Sequence, residues 1–443
     1  MRLWIKTPLA IFADDAGGGV VVEDGRIAEL VASGGSPVAP VDETFDASRH
    51  VVLPGLVNAH HHFYQTLTRA HPAAINKDLF PWLKALYPIW ARLKPAHLKI
   101  AAKLALTELM LSGCTTAADH HYLYPNGLEN AVDIEVEAAR EIGMRVTITR
   151  GSMNLGEKDG GLPPDSVVQS GDEILADSER VLKLFHDPKP GAEIRIALAP
   201  CSPFSIDKPL MIETAKLAER YDCQLHTHLC ETADEERFCL DVYGTRPVDL
   251  LEETGWMSKR TWLAHGIHFN DAEIARLGKA GVGVGHCAAS NMVLASGICR
   301  TCELERAGSP VGLGVDGSAS NDSSNMMEAL RHALMIGRLR YGASVVTHLD
   351  VLRWGTEGSA RCLGRDDVGK IEGGRQADLA LFKLDEPRFS GAHDGLAALV
   401  LCGAHRADRV MIGGRWRVTD GEPVGVDLEK LIADHKDAAR YFA

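Results

Sequence analysis

The sequence predicts an α/β protein, a (β/α)8 TIM barrel carrying a small composite β-sandwich formed by both termini. Two observations point to it. Eight short apolar runs, most bounded by Gly, Pro or polar residues, alternate with helix-length amphipathic stretches through the middle of the chain. That alternation marks βα units and a parallel sheet. The two ends read differently, as short β segments separated by Gly turns.

Residues 1–53, expected as the N-terminal part of the sandwich, hold Gly18–Leu30, two alternating strands around Asp24-Gly25. The barrel is assigned to residues 54–365. Its strand runs are Gly55–His62, Cys114–His120, Met144–Gly151, Glu193–Pro200, Cys223–Leu229, Thr261–Gly266, Gly281–His286 and Pro310–Asp316. Between them, Lys99–Leu111, Ile134–Ile142, Pro209–Tyr221, Asp271–Lys279 and Asn325–Leu339 repeat apolar residues at helical spacing. The Gly- and Pro-rich stretch from Ser152 to Gly171 follows the third strand, where a substrate-covering loop belongs. Residues 366–443 carry Ala377–Phe382 and Val410–Val418, further β segments that complete the sandwich.

Composition narrows the function. With 443 residues, 45% hydrophobic and 24% charged, the chain has the profile of a globular enzyme with a large core. A formal net charge of −13 argues against nucleic acid and against an anionic membrane surface as partners. Met1–Ala10 begins like a strand with no apolar leader behind it, and no run approaches the roughly 18 apolar residues of a membrane helix. The ten cysteines are irregularly spaced, several within apolar runs, as expected of free thiols in a cytoplasmic protein. Cys299-Arg300-Thr301-Cys302 stands alone and reads as structural. A small-molecule substrate and a homo-oligomeric state are expected.

His60 and His62 end the first apolar run, and side chains at i and i+2 of a strand share a face. His228 ends the fifth run, His265 the sixth and Asp316 the eighth. The C-terminal ends of barrel strands are where active sites lie. Imidazoles and a carboxylate converging there predict a metal ion held by His60, His62, His228 and Asp316. His226 rivals His228, but Glu231 follows the strand end by a turn and can lean over an ion held by the terminal histidine. Glu231 is therefore the expected proton shuttle, Asp316 also a proton acceptor, and His265 a partner of the attacking water or oxyanion. His61, His120, His121 and His286 are expected to be structural. The fourth strand ends Ala197-Leu198-Ala199-Pro200 without the lysine that usually bridges paired metals, so one ion is expected, Zn²⁺ first and Fe²⁺ next.

Pro54-Gly55-Leu56-Val57-Asn58-Ala59-His60, His228-Leu229-Cys230-Glu231, His265 and Gly314–Asn321 together resemble the motifs of the amidohydrolase superfamily, in its cytosine/guanine-deaminase and chlorohydrolase branch. The resemblance spans essentially the whole chain. It departs at Cys287-Ala288, where that branch commonly has proline after the cysteine. It implies a hydrolytic deaminase in which metal-activated water attacks an amino-bearing ring carbon and ammonia leaves. Phe80–Arg92, His61–Leu67 and Gly151–Gly156 are most similar to members acting on an oxidised purine. The best single substrate is then 8-oxoguanine; guanine, isocytosine and hydroxylated triazines are the alternatives. Position and resemblance nominate Trp82, Tyr87 and Trp90 to stack on a flat ring, Gln65 to read its lactam edge and Cys201 to admit it. Packing of the helix is the competing role for the three aromatics. A catalytically silent barrel scaffold is the non-enzymatic reading, which the full set of ligands speaks against.

Overall fold

The computed structural model describes residues 1–443. Eight parallel strands form one sheet in sequence order: β1 (Leu56–Asn58), β2 (Cys114–His121), β3 (Arg145–Ser152), β4 (Ile194–Pro200), β5 (Leu225–Leu229), β6 (Thr261–His265), β7 (Gly283–His286) and β8 (Val311–Leu313). The barrel closes between its first and last strands. There the Ala59 amide donates to Leu313 O at 2.9 Å and the Asp316 amide to His60 O at 3.0 Å. β1 and β8 are shorter than their apolar runs, so His60, His62 and Asp316 stand just past the ends of these strands. This frees their side chains to turn inward over the barrel mouth.

Helices follow the strands, among them Ala131–Ile142, Lys208–Tyr221, Asp271–Ala280 and Met326–Tyr341. Between β1 and β2 the chain adds α1 (Leu79–Trp90) and α2 (Pro95–Leu111). Pro95 opens α2 at a position where a missing N–H costs nothing. The barrel core joins strand residues such as Val146, Ile148, Ile196 and Leu263 to the helices around them. A second apolar cluster gathers α1 at the mouth with Tyr64, Tyr122, Cys201 and Phe204.

Both termini contribute to the sandwich. One sheet runs Arg26–Val31, Gly19–Glu23, Arg2–Lys6, Glu43–Asp46; the other runs Glu422–Pro423, Arg415–Thr419, Arg409–Ile412, Leu379–Lys383, His50–Pro54, Ala10–Ile11. Leu379–Lys383 pairs antiparallel with His50–Pro54, which leads straight into β1. In the Asp24-Gly25 turn both residues have positive φ, 49° and 78°, the geometry that matches strand twist in a two-residue hairpin. No residue of the Ser152–Gly171 stretch lines the small pocket at the mouth. Met153 and Val167 bury into the apolar cluster there, and Asn154 is bonded both ways to Asp207. All ten cysteines are free, and no helix is long and apolar enough to cross a membrane.

Candidate active site

Four side chains converge at the mouth. His60 Nε2 and His62 Nε2 each lie 3.3 Å from Asp316 Oδ1, and His228 Nε2 lies 3.2 Å from His62 Nε2. Donors bound at 2.0–2.1 Å in a tetrahedral array stand about 3.3 Å apart, so these spacings fit a single ion.

The outer nitrogens explain why the inner ones are lone pairs. His226 Nδ1 faces Trp262 O at 2.9 Å and must carry the proton, leaving Nε2 to accept from His60 Nδ1 at 2.8 Å. His60 Nε2 is then a buried acceptor without a partner. His62 Nδ1 donates to His120 O at 2.7 Å, and His228 Nδ1 to Cys201 O at 2.6 Å. Burial pushes His60, His226 and His228 well below the usual imidazole range, keeping them neutral. Lone pairs and a carboxylate face one another across about 3.3 Å, an arrangement that a cation would relieve. His228 groups with His60, His62 and His120, and Asp316 with His60, His265 and Cys287, as side chains that could hold a metal ion. His226, stacked on Trp262 at 4.2 Å, orients His60 from below.

Around this cluster stand His265 and Glu231. His265 Nε2 lies 3.5 Å from Glu231 Oε2 and 3.8 Å from Asp316 Oδ2, within reach of a water or proton between them. Its Nδ1 meets Asn291 Oδ1 at 2.9 Å. Burial, then the charge on Asp316, holds the Glu231 carboxyl well above the usual carboxylate range. A carboxyl so raised keeps its proton to higher pH than an exposed one. The Glu231 and Cys230 amides both donate to Glu235, fixing the turn that carries Glu231 over the mouth. His265 and Asp316 adopt left-handed φ of 71° and 67°, a conformation costing non-glycine residues roughly 1–2 kcal/mol each. The strain aims both side chains at the common centre.

Glu231, His265, Asp316, His62 and His228 line a small pocket with Gln65, Leu79, Trp82, Leu83, Tyr87, Tyr122, Cys201, Phe204, Leu294 and Ser320. Its volume is about 30 Å³, room for roughly two waters. Gln65 Oε1 and the Tyr87 hydroxyl are buried there without partners. A larger groove of about 1040 Å³ between α2 and the C-terminal helix holds none of these groups.

The amidohydrolase family model matches residues 51–417. The chain belongs to the amidohydrolase family. It is 62% identical to an 8-oxoguanine deaminase of Pseudomonas aeruginosa over 99% of this chain and 98% of that one. A hydroxydechloroatrazine ethylaminohydrolase of a Pseudomonas species is 36% identical over 93% and 88%. The zinc complex of an atrazine chlorohydrolase from Arthrobacter aurescens superposes with a TM-score of 0.92 at 31% identity, covering 99% and 100%.

Within this amidohydrolase mouth the sequence-based candidates fall into two groups. Gln65, Trp82, Tyr87 and Cys201 line the pocket with Glu231, His265 and Asp316. Trp90, expected to stack on substrate, instead sits behind the pocket, its indole donating to Thr68 and its ring edge-on to Tyr64. Tyr122, Phe204, Leu294 and Ser320 were not foreseen. Tyr122 lies just past β2 beside the histidine pair, a position that sheet topology alone points to. Asn291 was also missed, although it follows the β7 cysteine by one helical turn.

Proposed function

We propose that the chain is a metal-dependent hydrolytic deaminase of an amino-substituted oxopurine, 8-oxoguanine first, forming urate and ammonia. Identity of 62% along nearly the whole of an 8-oxoguanine deaminase carries the substrate assignment. The site is consistent with it. His60, His62, His228 and Asp316 would hold one divalent ion, zinc before iron. Such an ion lowers the pKa of water from 15.7 toward about 7 and so supplies a nucleophile at neutral pH.

The side chains supply the rest. Asp316 accepts the proton of the attacking water. Glu231 donates to the ring nitrogen beside the attacked carbon, regains a proton from the added hydroxyl and passes it to the departing amine. His265, between the two carboxylates, hydrogen-bonds the oxygen as it adds. Trp82 and Tyr87 offer faces and edges to a planar ring, and the unpartnered Gln65 Oε1 accepts from a lactam N–H. A bicyclic ring exceeds the present pocket, so substrate enters when α1 moves away. Ammonia release is measured from 8-oxoguanine, guanine, isocytosine and hydroxyatrazine with metal-replete protein. Preference for 8-oxoguanine is expected; preference for another member discards the substrate assignment, and silence on all four discards the activity.

A further inference from the structure

A second cluster lies behind β2, on the strand face opposite the mouth. Asp119, His121 and Glu135 are all completely buried, and their ligating atoms lie within 4.8 Å of one another. Asp119 and His121 alternate outward from β2, and Glu135 reaches them from helix Ala131–Ile142. His121 Nε2 donates to Leu123 O at 2.7 Å, which leaves Nδ1 as a lone pair 3.3 Å from Glu135 Oε1. Asp119 Oδ1 accepts from the Phe63 amide at 2.6 Å. Its Oδ2, both oxygens of Glu135 and His121 Nδ1 have no hydrogen-bond partner.

Four buried ligand atoms therefore face one another, and no N–H or hydroxyl of the surrounding protein bonds them. Burial pushes Asp119 and Glu135 up, Glu135 to about 8, and His121 down to about 4, so without an ion the carboxyl pair holds a proton. One shared proton would join one pair of these atoms and leave the other two buried and unanswered. A divalent ion answers all four at once. The 3.3 Å nitrogen–oxygen spacing equals the edge of a tetrahedral zinc site, and two carboxylates neutralise its charge.

We propose that Asp119, His121 and Glu135 form a second, structural metal site for a divalent transition ion such as zinc. The ion would tie β2 to helix Ala131–Ile142. Through Asp119 it would also brace the Phe63 amide, the residue after His62. Being sealed from solvent, it would be taken up as the chain folds.

The test counts zinc per chain after expression in zinc-supplemented medium and removal of loose ion. Two zinc ions are expected in the wild type, one in Glu135→Gln and one in His228→Ala. One ion in the wild type overturns the proposal, as do two in Glu135→Gln or none in His228→Ala. Should Glu135→Gln fail to fold, anomalous diffraction from wild-type crystals at the zinc edge decides: a peak between Asp119, His121 and Glu135 is expected, and its absence overturns the site.

Discussion

At the N-terminal end of the barrel the buried arginines donate to carboxylates and backbone carbonyls. Arg145 donates to Asp378 at 2.8 Å, to Gln376 at 3.0 Å and to the Gly191 carbonyl, while Arg365 grips Asp367 at 2.7 and 3.0 Å. Arg195 donates to the Gly364 and Pro188 carbonyls. At the C-terminal end the same economy is reversed: acceptors face acceptors, and His265 and Asp316 hold strained backbone. One end spends its polar groups on holding the barrel to the sandwich. The other leaves them unanswered, so that an ion and a substrate can answer them.

Changes at the two ends should accordingly separate activity from stability. The largest effect is expected from His228→Ala, which removes a ligand. Turnover should fall roughly 10⁴-fold or more with loss of the mouth ion, while the melting temperature of the metal-free protein holds or rises. A large drop in that temperature would mean the mouth is built for stability too. Next comes Asp378→Ala at the opposite end. Leaving Arg145 buried and unpaired should cost about 3–5 kcal/mol in urea unfolding, with turnover per folded molecule retained.

Smaller changes sharpen the contrast. His226→Phe keeps the stack on Trp262 but removes the acceptor for His60; metal affinity should weaken about 10–100-fold in a chelator competition. At Gly317 an added Cβ would sit 1.9 Å from Gln65 Oε1, so Gly317→Ala should displace Gln65. Losing that bond to substrate should raise KM by roughly tenfold at most, with kcat changed less. The mildest effect is in acid. Burial alone would raise Asp367, yet the bonds and charge of Arg365 hold its carboxyl well below the usual range. Its contribution is present above the unfolded value of about 3.9 and lost as pH falls through the lower folded one. The stability gap between wild type and Asp367→Asn should therefore close below about pH 4 in acid-titrated melts.

The mouth was largely legible because strand ends and two-residue alternation fix which side chains meet there, as with His60, His62 and His228. Glu231 distinguished His228 from His226 for the same reason: its distance past the strand end sets its height over the barrel. Helix α1 was less legible. Trp82, Tyr87 and Trp90 are all buried, and periodicity does not say which faces the pocket and which faces Tyr64 behind it. The Ser152–Gly171 stretch was legible as a loop but not in its packing, because turn-rich composition does not say which way it folds; Met153 buries in the apolar cluster at the mouth and Asn154 bonds Asp207. Asp119 and Glu135 escaped notice because their meeting depends on how a helix docks on β2.

The most direct measurement is made on Glu231→Gln, with zinc content and urate formation from 8-oxoguanine read on one preparation. Retained zinc at the mouth with turnover reduced roughly 10²–10⁴-fold is expected of a residue that moves protons without holding the ion. Near-normal turnover with zinc bound would contradict the assignment of Glu231 and the mechanism built on it.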